Sequence, residues 1–233
     1  MAASLRVTGL RVNGRRLTAA ALLLLAAACA PRSQPPAAPP VTVPPPGMHL
    51  WPNRDVIQSA CLNDLAATGA EFELVAQAEP GKDGCDLVNG VKLLRLPDAA
   101  LSRPVELTCP TALRFTEFER EVLQPTARRM FGQPLIQVNH AGGFTCRRMV
   151  GGGGRLSEHA HGRAIDIWGF VLGDGTKLSV TEQFRTRGGE GSYLREVSRA
   201  ACTYFNVVLS PNANSDHKDH FHWDIGRWKQ CSG

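Results

Sequence analysis

The chain has 233 residues, 43% of them hydrophobic, and a formal net charge of +5 at pH 7. Four of its 26 Lys and Arg lie within residues 1–16, whereas none of its 21 Asp and Glu lies before residue 30, so 22 basic side chains face 21 acidic ones in the remainder. This balance argues against a basic surface for nucleic acid, and no nucleic-acid partner is expected.

Residues 1–29 have the pattern of an export signal. Four arginines precede an uncharged run over residues 17–30, which is shorter than the roughly 18 to 20 residues that a membrane-spanning helix needs. Ala26-Ala27-Ala28-Cys29 resembles a lipoprotein signal-peptidase site, in which the Cys becomes acylated. We therefore expect a periplasmic or cell-envelope protein anchored to a membrane through lipid on Cys29. Ordinary cleavage after an Ala is the alternative.

A Pro-rich linker over residues 30–49 is expected to hold a single domain, residues 50–233, away from the membrane. Eight of the 16 prolines lie between Pro31 and Pro46, a composition that favours extended polyproline II and builds no core. The domain that follows has a normal size for one hydrophobic core.

Helices and short strands alternate through the domain. The first predicted helix begins at Asn53 or Asp55 and ends near Thr68, and a longer one spans residues 108–131 with a kink at Pro125 and an end at Gly132. A third helix is predicted over residues 193–205. Strands are predicted over residues 72–76, 91–96, 135–138, 164–172, 177–180, 207–209 and 220–225, with Asp174-Gly175 as a hairpin turn. The predicted class is α+β, with a small, mostly antiparallel sheet flanked by helices.

Six cysteines remain in the domain once Cys29 is set aside. An even number in an exported chain predicts three disulfides. Sequence order makes Cys61 with Cys85 the easiest local pair, although six cysteines allow 15 pairings. The six are Cys61, Cys85, Cys109, Cys146, Cys202 and Cys231.

Five of the seven histidines lie in two short segments, residues 157–166 and 217–222. Residues two apart on a strand share a face, so His220, His222 and Asp224 are expected to point away from the core. By the same parity, the side chain of Asp166 is expected on the sheet face opposite to that of Ile165. Two His and one Asp from these segments would leave a fourth tetrahedral position open, which is typical of catalytic rather than structural zinc.

Both segments resemble those of the zinc D-alanyl-D-alanine carboxypeptidase and murein endopeptidase superfamily. Its Ser-x-His-x-x-Gly-x-Ala-x-Asp motif corresponds to residues 157–166, and its later His-x-His or Asp-x-x-His corresponds to residues 219–222. Most of residues 50–233 also resembles the bacterial extensin-like C-terminal family, through Thr108-Cys109-Pro110, Ser157-Glu158-His159-Ala160 and Asp219-His220-Phe221-His222.

This resemblance implies a fold like that of the D-Ala-D-Ala carboxypeptidase and hedgehog proteins. It also implies Zn²⁺ bound by His159, Asp166 and His222, and it places Asp219 as the catalytic carboxylate. Because Asp219 and His222 would lie on opposite faces of a regular strand, Asp219 is expected in the loop before that strand.

The same resemblance implies roles for further residues. His217 and His220 match histidines that flank the metal and assist the transition state, and Ser157 matches the motif's serine. With Ser157, Arg147 and Arg148 are the candidate substrate-binding residues, because an arginine can bind a carboxylate through two hydrogen bonds; solvated loop charges are the alternative.

Two other histidines carry weaker expectations. His161 occupies a variable position of the motif and is interpreted as a surface or hydrogen-bonded residue rather than a ligand. His140 carries no motif, but at the end of a strand it could line the cleft.

The expected function is that of a zinc metallopeptidase, a carboxypeptidase or endopeptidase, acting on peptidoglycan peptides. A non-catalytic wall-binding lipoprotein that retains a zinc site is the main alternative. A zinc amidase or esterase would share every ligand. The sequence does not indicate an oligomeric state.

Overall fold

The computed structural model describes residues 54–75 and 83–233. The expected signal peptide, Cys29 and the Pro-rich linker lie outside these residues, as do Asn53 and Ala76. In the described part of the chain, no helix has the length and apolar composition to cross a membrane.

One mixed sheet of nine strands organises the described residues, which confirms the α+β class. Strand order is β1-β2-β3-β4-β5-β8-β7-β9, and β6 pairs with β5 outside this path. The β3–β4 and β7–β9 pairings are parallel, and the other six between named strands in the described ranges are antiparallel. The strands are β1 Glu71–Leu74, β2 Gly90–Arg95, β3 Ala100–Thr108, β4 Leu135–Gly142, β5 Ala164–Leu172, β6 Lys177–Ser179, β7 Val207–Leu209, β8 Phe221–Asp224 and β9 Gln230–Cys231.

Strand β3 was not predicted, since Pro104 and its polar neighbours break the apolar pattern. Pro104 nevertheless fits, because β3 pairs with β2 mainly through residues 105–108 and with β4 through residues 100–101. The proline lies between these two ladders, where its missing N–H removes no ladder bond.

Helices pack beside the sheet: α1 Arg54–Ala67, α2 Cys109–Phe118, α3 Gln124–Phe131, α4 Val180–Gln183 and α5 Gly189–Ala201. A π-helical turn, Glu119–Leu123, joins α2 to α3 and puts Pro125, the predicted site of a kink, in the first turn of α3. There the absent N–H is tolerated. Gly132 ends α3 in the left-handed conformation, φ 65°, as glycine often does.

Helix α5 begins four residues before its predicted start. The glycines of residues 188–191 read as helix breakers in the sequence, but a Cβ on Gly191 would lie 2.4 Å from the Thr186 carbonyl oxygen. Close backbone approach therefore requires glycine at this helical position.

Three disulfides are present, as predicted, but the expected local pair is wrong. Cys61 on α1 bonds to Cys109 at the start of α2, because these two helices pack against each other. Cys85 bonds instead to Cys146, across 61 residues of sequence, and Cys202 to Cys231.

The core explains how the sheet presents polar residues on one face. Ile165 and Ile167 of β5 and Phe221 and Trp223 of β8 are fully buried in the hydrophobic cluster. Asp166 alternates with these apolar residues, so its side chain projects from the opposite face of the sheet.

Candidate metal centre

Three predicted ligands converge on one point. His159 Nε2 lies 3.1 Å from Asp166 Oδ1 and 3.2 Å from His222 Nδ1, and His222 Nδ1 lies 2.9 Å from the same carboxylate oxygen. Within residues 54–75 and 83–233, this is the group of three or more ligand-type side chains close enough to share one ion.

Strand register brings two of these residues together. In the antiparallel pairing of β5 with β8, Asp166 lies directly opposite His222. Ile165 and Ile167 face the core, so the side chains of Asp166 and His222 occupy the opposite, polar face of the sheet. The sheet therefore fixes the carboxylate and one imidazole as neighbours across two strands.

A short 3₁₀ helix, Glu158–His161, supplies the third ligand. The Ser157 hydroxyl accepts a hydrogen bond from His159 N–H at its start, and Gly162 ends it in the left-handed conformation, φ 62°. A Cβ on Gly162 would lie 2.3 Å from Leu87 Cδ1. This turn returns the chain into β5 immediately after the histidine.

Hydrogen bonds orient both imidazoles. His159 Nδ1 lies 2.7 Å from the Gly143 carbonyl oxygen and donates to it, which leaves Nε2 as the acceptor that faces the cluster. His222 Nε2 lies 3.0 Å from Asp224 Oδ2, which leaves its Nδ1 facing the cluster. Partners of this kind fix the tautomer and ring orientation of metal-binding histidines.

Strand parity predicts the sheet face on which Asp224 lies, but it does not predict a role for this carboxylate. Its Oδ1 accepts the Gly226 N–H at 2.8 Å while Oδ2 holds His222. The signal that could have revealed this role is the two-residue spacing between His222 and Asp224 on one strand.

The charge distribution of the cluster favours a bound cation. Burial alone raises the pKa of Asp166, but hydrogen bonds and charge interactions with His159 and His222 lower it well below its usual range. Burial opposes the charge of His222, yet Asp166 and Asp224 together raise the pKa of this imidazole. Two buried carboxylates thus share the positive charge of protonated imidazole, which a metal ion can replace.

The donor set fits zinc. Tetrahedral bonds of about 2.0 to 2.1 Å separate two ligand atoms by roughly 3.3 Å, close to the distances within this cluster. Asp166 would bind through Oδ1 alone, because Arg147 Nη2 lies 3.4 Å from Oδ2.

His220 faces the ligand cluster from the turn before β8. Its Nε2 lies 3.8 Å from Asp166 Oδ1, and its Nδ1 lies 2.8 Å from Asp219 Oδ1. Asp219 itself is half exposed and precedes the first residue of β8, Phe221. Hence the structure joins Asp219 to the cluster through His220 and gives it no direct contact with a ligand atom.

His217 lies beside His220 and His222. Its ring centroid lies 5.2 Å from that of His220 and 5.8 Å from that of His222. Burial and repulsion from these two imidazoles lower the pKa of His217 to about 4, and its Nδ1 lies 2.7 Å from Asn214 Oδ1. Neutral imidazole at this position can accept a proton.

Asp166 and His222 line a cleft with a volume of 1320 Å³, and the buried His159 contacts both of them. Ser157, Arg147 and Arg148 all line the cleft, although the Ser157 hydroxyl is engaged in capping and Arg148 donates to the Gly154 carbonyl within its own loop. Of the three, Arg147 contacts the side chain of a predicted ligand, Asp166, whereas Ser157 contacts the backbone N–H of His159.

The two other histidines within residues 54–75 and 83–233 have separate partners. His161 lines the cleft but pairs with Asp86 rather than with the cluster. His140 does not line the cleft; it is buried, and its Nε2 lies 2.8 Å from the Arg103 carbonyl oxygen. Its expected place at the cleft is therefore wrong, because β4 turns this side chain towards β3.

Comparison with known proteins gives one match. A family described as extensin-like protein C-terminus matches residues 59–232, which include every residue of the cluster and its neighbours. No match was found among curated proteins or among solved structures.

Proposed function

The chain belongs to the extensin-like protein C-terminus family, and on this premise we propose that it is a zinc-dependent peptidase that cuts peptides of bacterial peptidoglycan. The observation that carries the proposal is the convergence of His159 Nε2, Asp166 Oδ1 and His222 Nδ1 on one point, with Asp166 and His222 lining the cleft. Three protein ligands with an accessible fourth position are typical of catalytic zinc.

The order of the ligands supports the reaction class. His159, Asp166 and His222 follow the spacing of the zinc D-Ala-D-Ala carboxypeptidase and murein endopeptidase superfamily, and we propose that the domain shares the fold of that superfamily. Bound zinc would supply a Lewis acid that lowers the pKa of water and polarises an amide carbonyl.

Proton transfer is assigned to the pair formed by Asp219 and His220. The superfamily resemblance implies that Asp219 is the general base. In the structure, however, the Asp219 carboxylate is hydrogen-bonded to His220 Nδ1, and His220 Nε2 is the atom of this pair that lies near the cluster. We propose that His220 Nε2 receives the proton while Asp219 holds the ring and stabilises its charge. His217, 5.2 Å from His220 between ring centroids, would assist the transition state as a neutral imidazole, because its pKa is lowered.

Arg147 is the proposed contact for substrate at the cluster. Its guanidinium bonds to Asp166 through one nitrogen, and its side chain is 41% exposed, so further N–H groups remain for a peptide carboxylate or carbonyl. Arg148 and Ser157 are proposed to shape the same side of the cleft.

A location in the cell envelope is proposed together with the wall substrate. We propose that lipid on Cys29 anchors the chain in the envelope and that the Pro-rich linker of residues 30–49 lets the domain reach the wall. Such a linker would extend the reach of the domain, since extended polyproline II rises about 3.1 Å per residue.

Metal analysis of the purified protein tests the ligand set. Wild type should contain about one zinc per chain, and His159→Ala, Asp166→Ala and His222→Ala should each lose it. His161→Ala is the matched control, because His161 lies in the same 3₁₀ helix but bonds to Asp86. Equal zinc in all four variants would refute the assignment, and muropeptide hydrolysis by the same preparations tests the activity.

A further inference from the structure

Two loops bound the cleft beyond the metal centre. Residues 147–157 form the first, closed as a narrow hairpin by an antiparallel bridge between Arg148 and Leu156. Residues 226–229 form the second, between β8 and β9. We call the side chains that these loops present the cleft rim: Arg148, Met149, Arg155, Arg227, Trp228 and Lys229.

The positive charge of the cleft rim is not neutralised. In the described residues, none of its four cations forms an ion pair with a carboxylate, and Arg148 and Arg155 donate only to backbone carbonyls of their own loop. Lining residues outside the rim are paired: Arg147 with Asp166, and Arg163 with Glu158.

The carboxylates that line the cleft are mostly engaged. Asp166 and Asp224 hold the ligand histidines, and Glu158 holds Arg163. Asp216 is the remaining lining carboxylate and forms no ion pair in the described residues, so an acidic ligand that enters the cleft meets four unpaired cations and one unpaired carboxylate. Such a charge distribution attracts anions and orients them.

Apolar surface accompanies this charge. Of the six large hydrophobic side chains that are exposed in the described ranges, Met149, Val150 and Trp228 line this cleft. Trp228 is 56% exposed, and the Arg227 guanidinium carbon lies 4.9 Å from its ring centroid. Exposed apolar groups concentrated beside cations indicate a surface that binds a ligand with both aliphatic and charged parts.

We propose that the cleft rim binds an acidic stretch of the substrate peptide, with its free carboxylates on Arg227, Lys229, Arg148 and Arg155 and its aliphatic parts against Trp228 and Met149. The proposal deepens the peptidase function above and rests on it for the identity of the peptide. A cleft of 1320 Å³ exceeds the roughly 300 to 1,000 Å³ of small-molecule pockets, and so it suits several residues of an extended chain.

The test compares one muropeptide in two forms, with its stem carboxylates free and with them amidated. Binding is measured by calorimetry on zinc-loaded protein carrying Asp219→Ala, so that turnover does not consume the probe. We expect the free acid to bind about tenfold more tightly, and Arg227→Glu with Lys229→Glu to abolish that preference. Lys177→Glu, on β6 and outside the cleft, is the matched control and should change nothing. Thermal unfolding of each variant checks the fold.

Outcomes separate the two proposals. Equal affinity of both muropeptides for the wild-type rim overturns the rim assignment even if hydrolysis is observed. A carboxylate preference that depends on Arg227 and Lys229, without hydrolysis by the otherwise wild-type enzyme, upholds the rim and overturns the peptidase. If the charge reversals leave muropeptide affinity intact but abolish binding to vesicles of anionic lipid, the rim is a membrane contact and the peptide proposal fails.

Discussion

Asp224 connects the strand pattern to the chemistry of the metal centre. Its carboxylate is buried, accepts the Gly226 N–H and lies 3.0 Å from His222 Nε2. The imidazole thereby presents Nδ1, the atom 2.9 Å from Asp166 Oδ1. Asp224, which is not a predicted ligand, thus decides which nitrogen of His222 faces the cluster.

Substituting Asp224 should weaken metal binding without removing a ligand. Asp224→Ala is expected to lower zinc affinity by about 10-fold to 100-fold, the range usual for such partners, whereas Asp224→Asn keeps an acceptor oxygen and should lose less. Competition with a chromophoric chelator measures the affinity. Asp216→Ala, another carboxylate of the cleft that does not bond to a ligand histidine, is the control; an equal loss in both alanine variants would contradict the role of Asp224.

Two catalytic roles proposed for Asp219, orienting His220 or acting as the base itself, can be distinguished by substitution. If it orients His220 through their 2.8 Å hydrogen bond, Asp219→Asn keeps an acceptor for Nδ1–H and should retain part of kcat. Asp219→Ala and His220→Ala should then each lose about 10²-fold or more in kcat with unchanged zinc content. Should Asp219→Asn be as inactive as Asp219→Ala while His220→Ala remains active, Asp219 would be the direct base.

At the scale of elements, the π-helical turn between α2 and α3 holds a buried carboxyl. Glu119 Oε1 accepts a hydrogen bond from Gln124 Nε2 at 2.7 Å, and Gln124 also bonds to both backbone groups of Leu135. Burial raises the pKa of Glu119 from 4.5 to about 7. Gln124 therefore links the Glu119 carboxyl of the π turn to strand β4 through hydrogen bonds.

Glu119 should make the stability of the domain depend on pH. Below about pH 4.5 the carboxyl is protonated in both folded and unfolded chains, so its burial carries no charge penalty. As pH rises from 4.5 to 7 the unfolded chain ionises first, and the free energy of unfolding should fall by up to about 3 kcal/mol. Denaturant unfolding of wild type and Glu119→Gln across this range measures the effect. The difference between them should grow with pH, and parallel profiles would contradict it.

Local patterns predicted much of the fold. Strand β5 has its predicted bounds, and β7 and the end of α3 at Gly132 also agree. Strand β3 was missed because its proline lies in a gap between two ladders, which only the tertiary pairing reveals. The early start of α5 depends likewise on a close approach to the Thr186 carbonyl that no local signal records.

The candidate site was predictable for a different reason. Period-two alternation puts Asp166 and His222 on one sheet face, and their direct pairing follows from the β5–β8 register. The bond from Asp219 to His220 depends on turn geometry, and the Gly143 carbonyl that orients His159 belongs to a distant strand end. Contacts of this kind have no periodic signal in the sequence.

At the scale of the whole molecule, disulfides brace the segments around the cleft. Cys85 bonds to Cys146, which directly precedes Arg147 and the first loop of the rim. Asp86 pairs with His161 in the 3₁₀ helix that carries His159. The bond therefore ties the segment before β2 to both the rim and the candidate metal centre, and such a bond fits the export proposed for this chain.

Hydrolysis of purified muropeptides in ¹⁸O-labelled water, read by mass spectrometry, tests the central claim most directly. Zinc-loaded protein should release a product whose new carboxyl carries one ¹⁸O, chelation should stop the reaction, and added zinc should restore it; His222→Ala should remain inactive. If zinc-loaded protein binds wall material but yields no labelled carboxyl, the protein is a wall-binding module and the peptidase account is wrong.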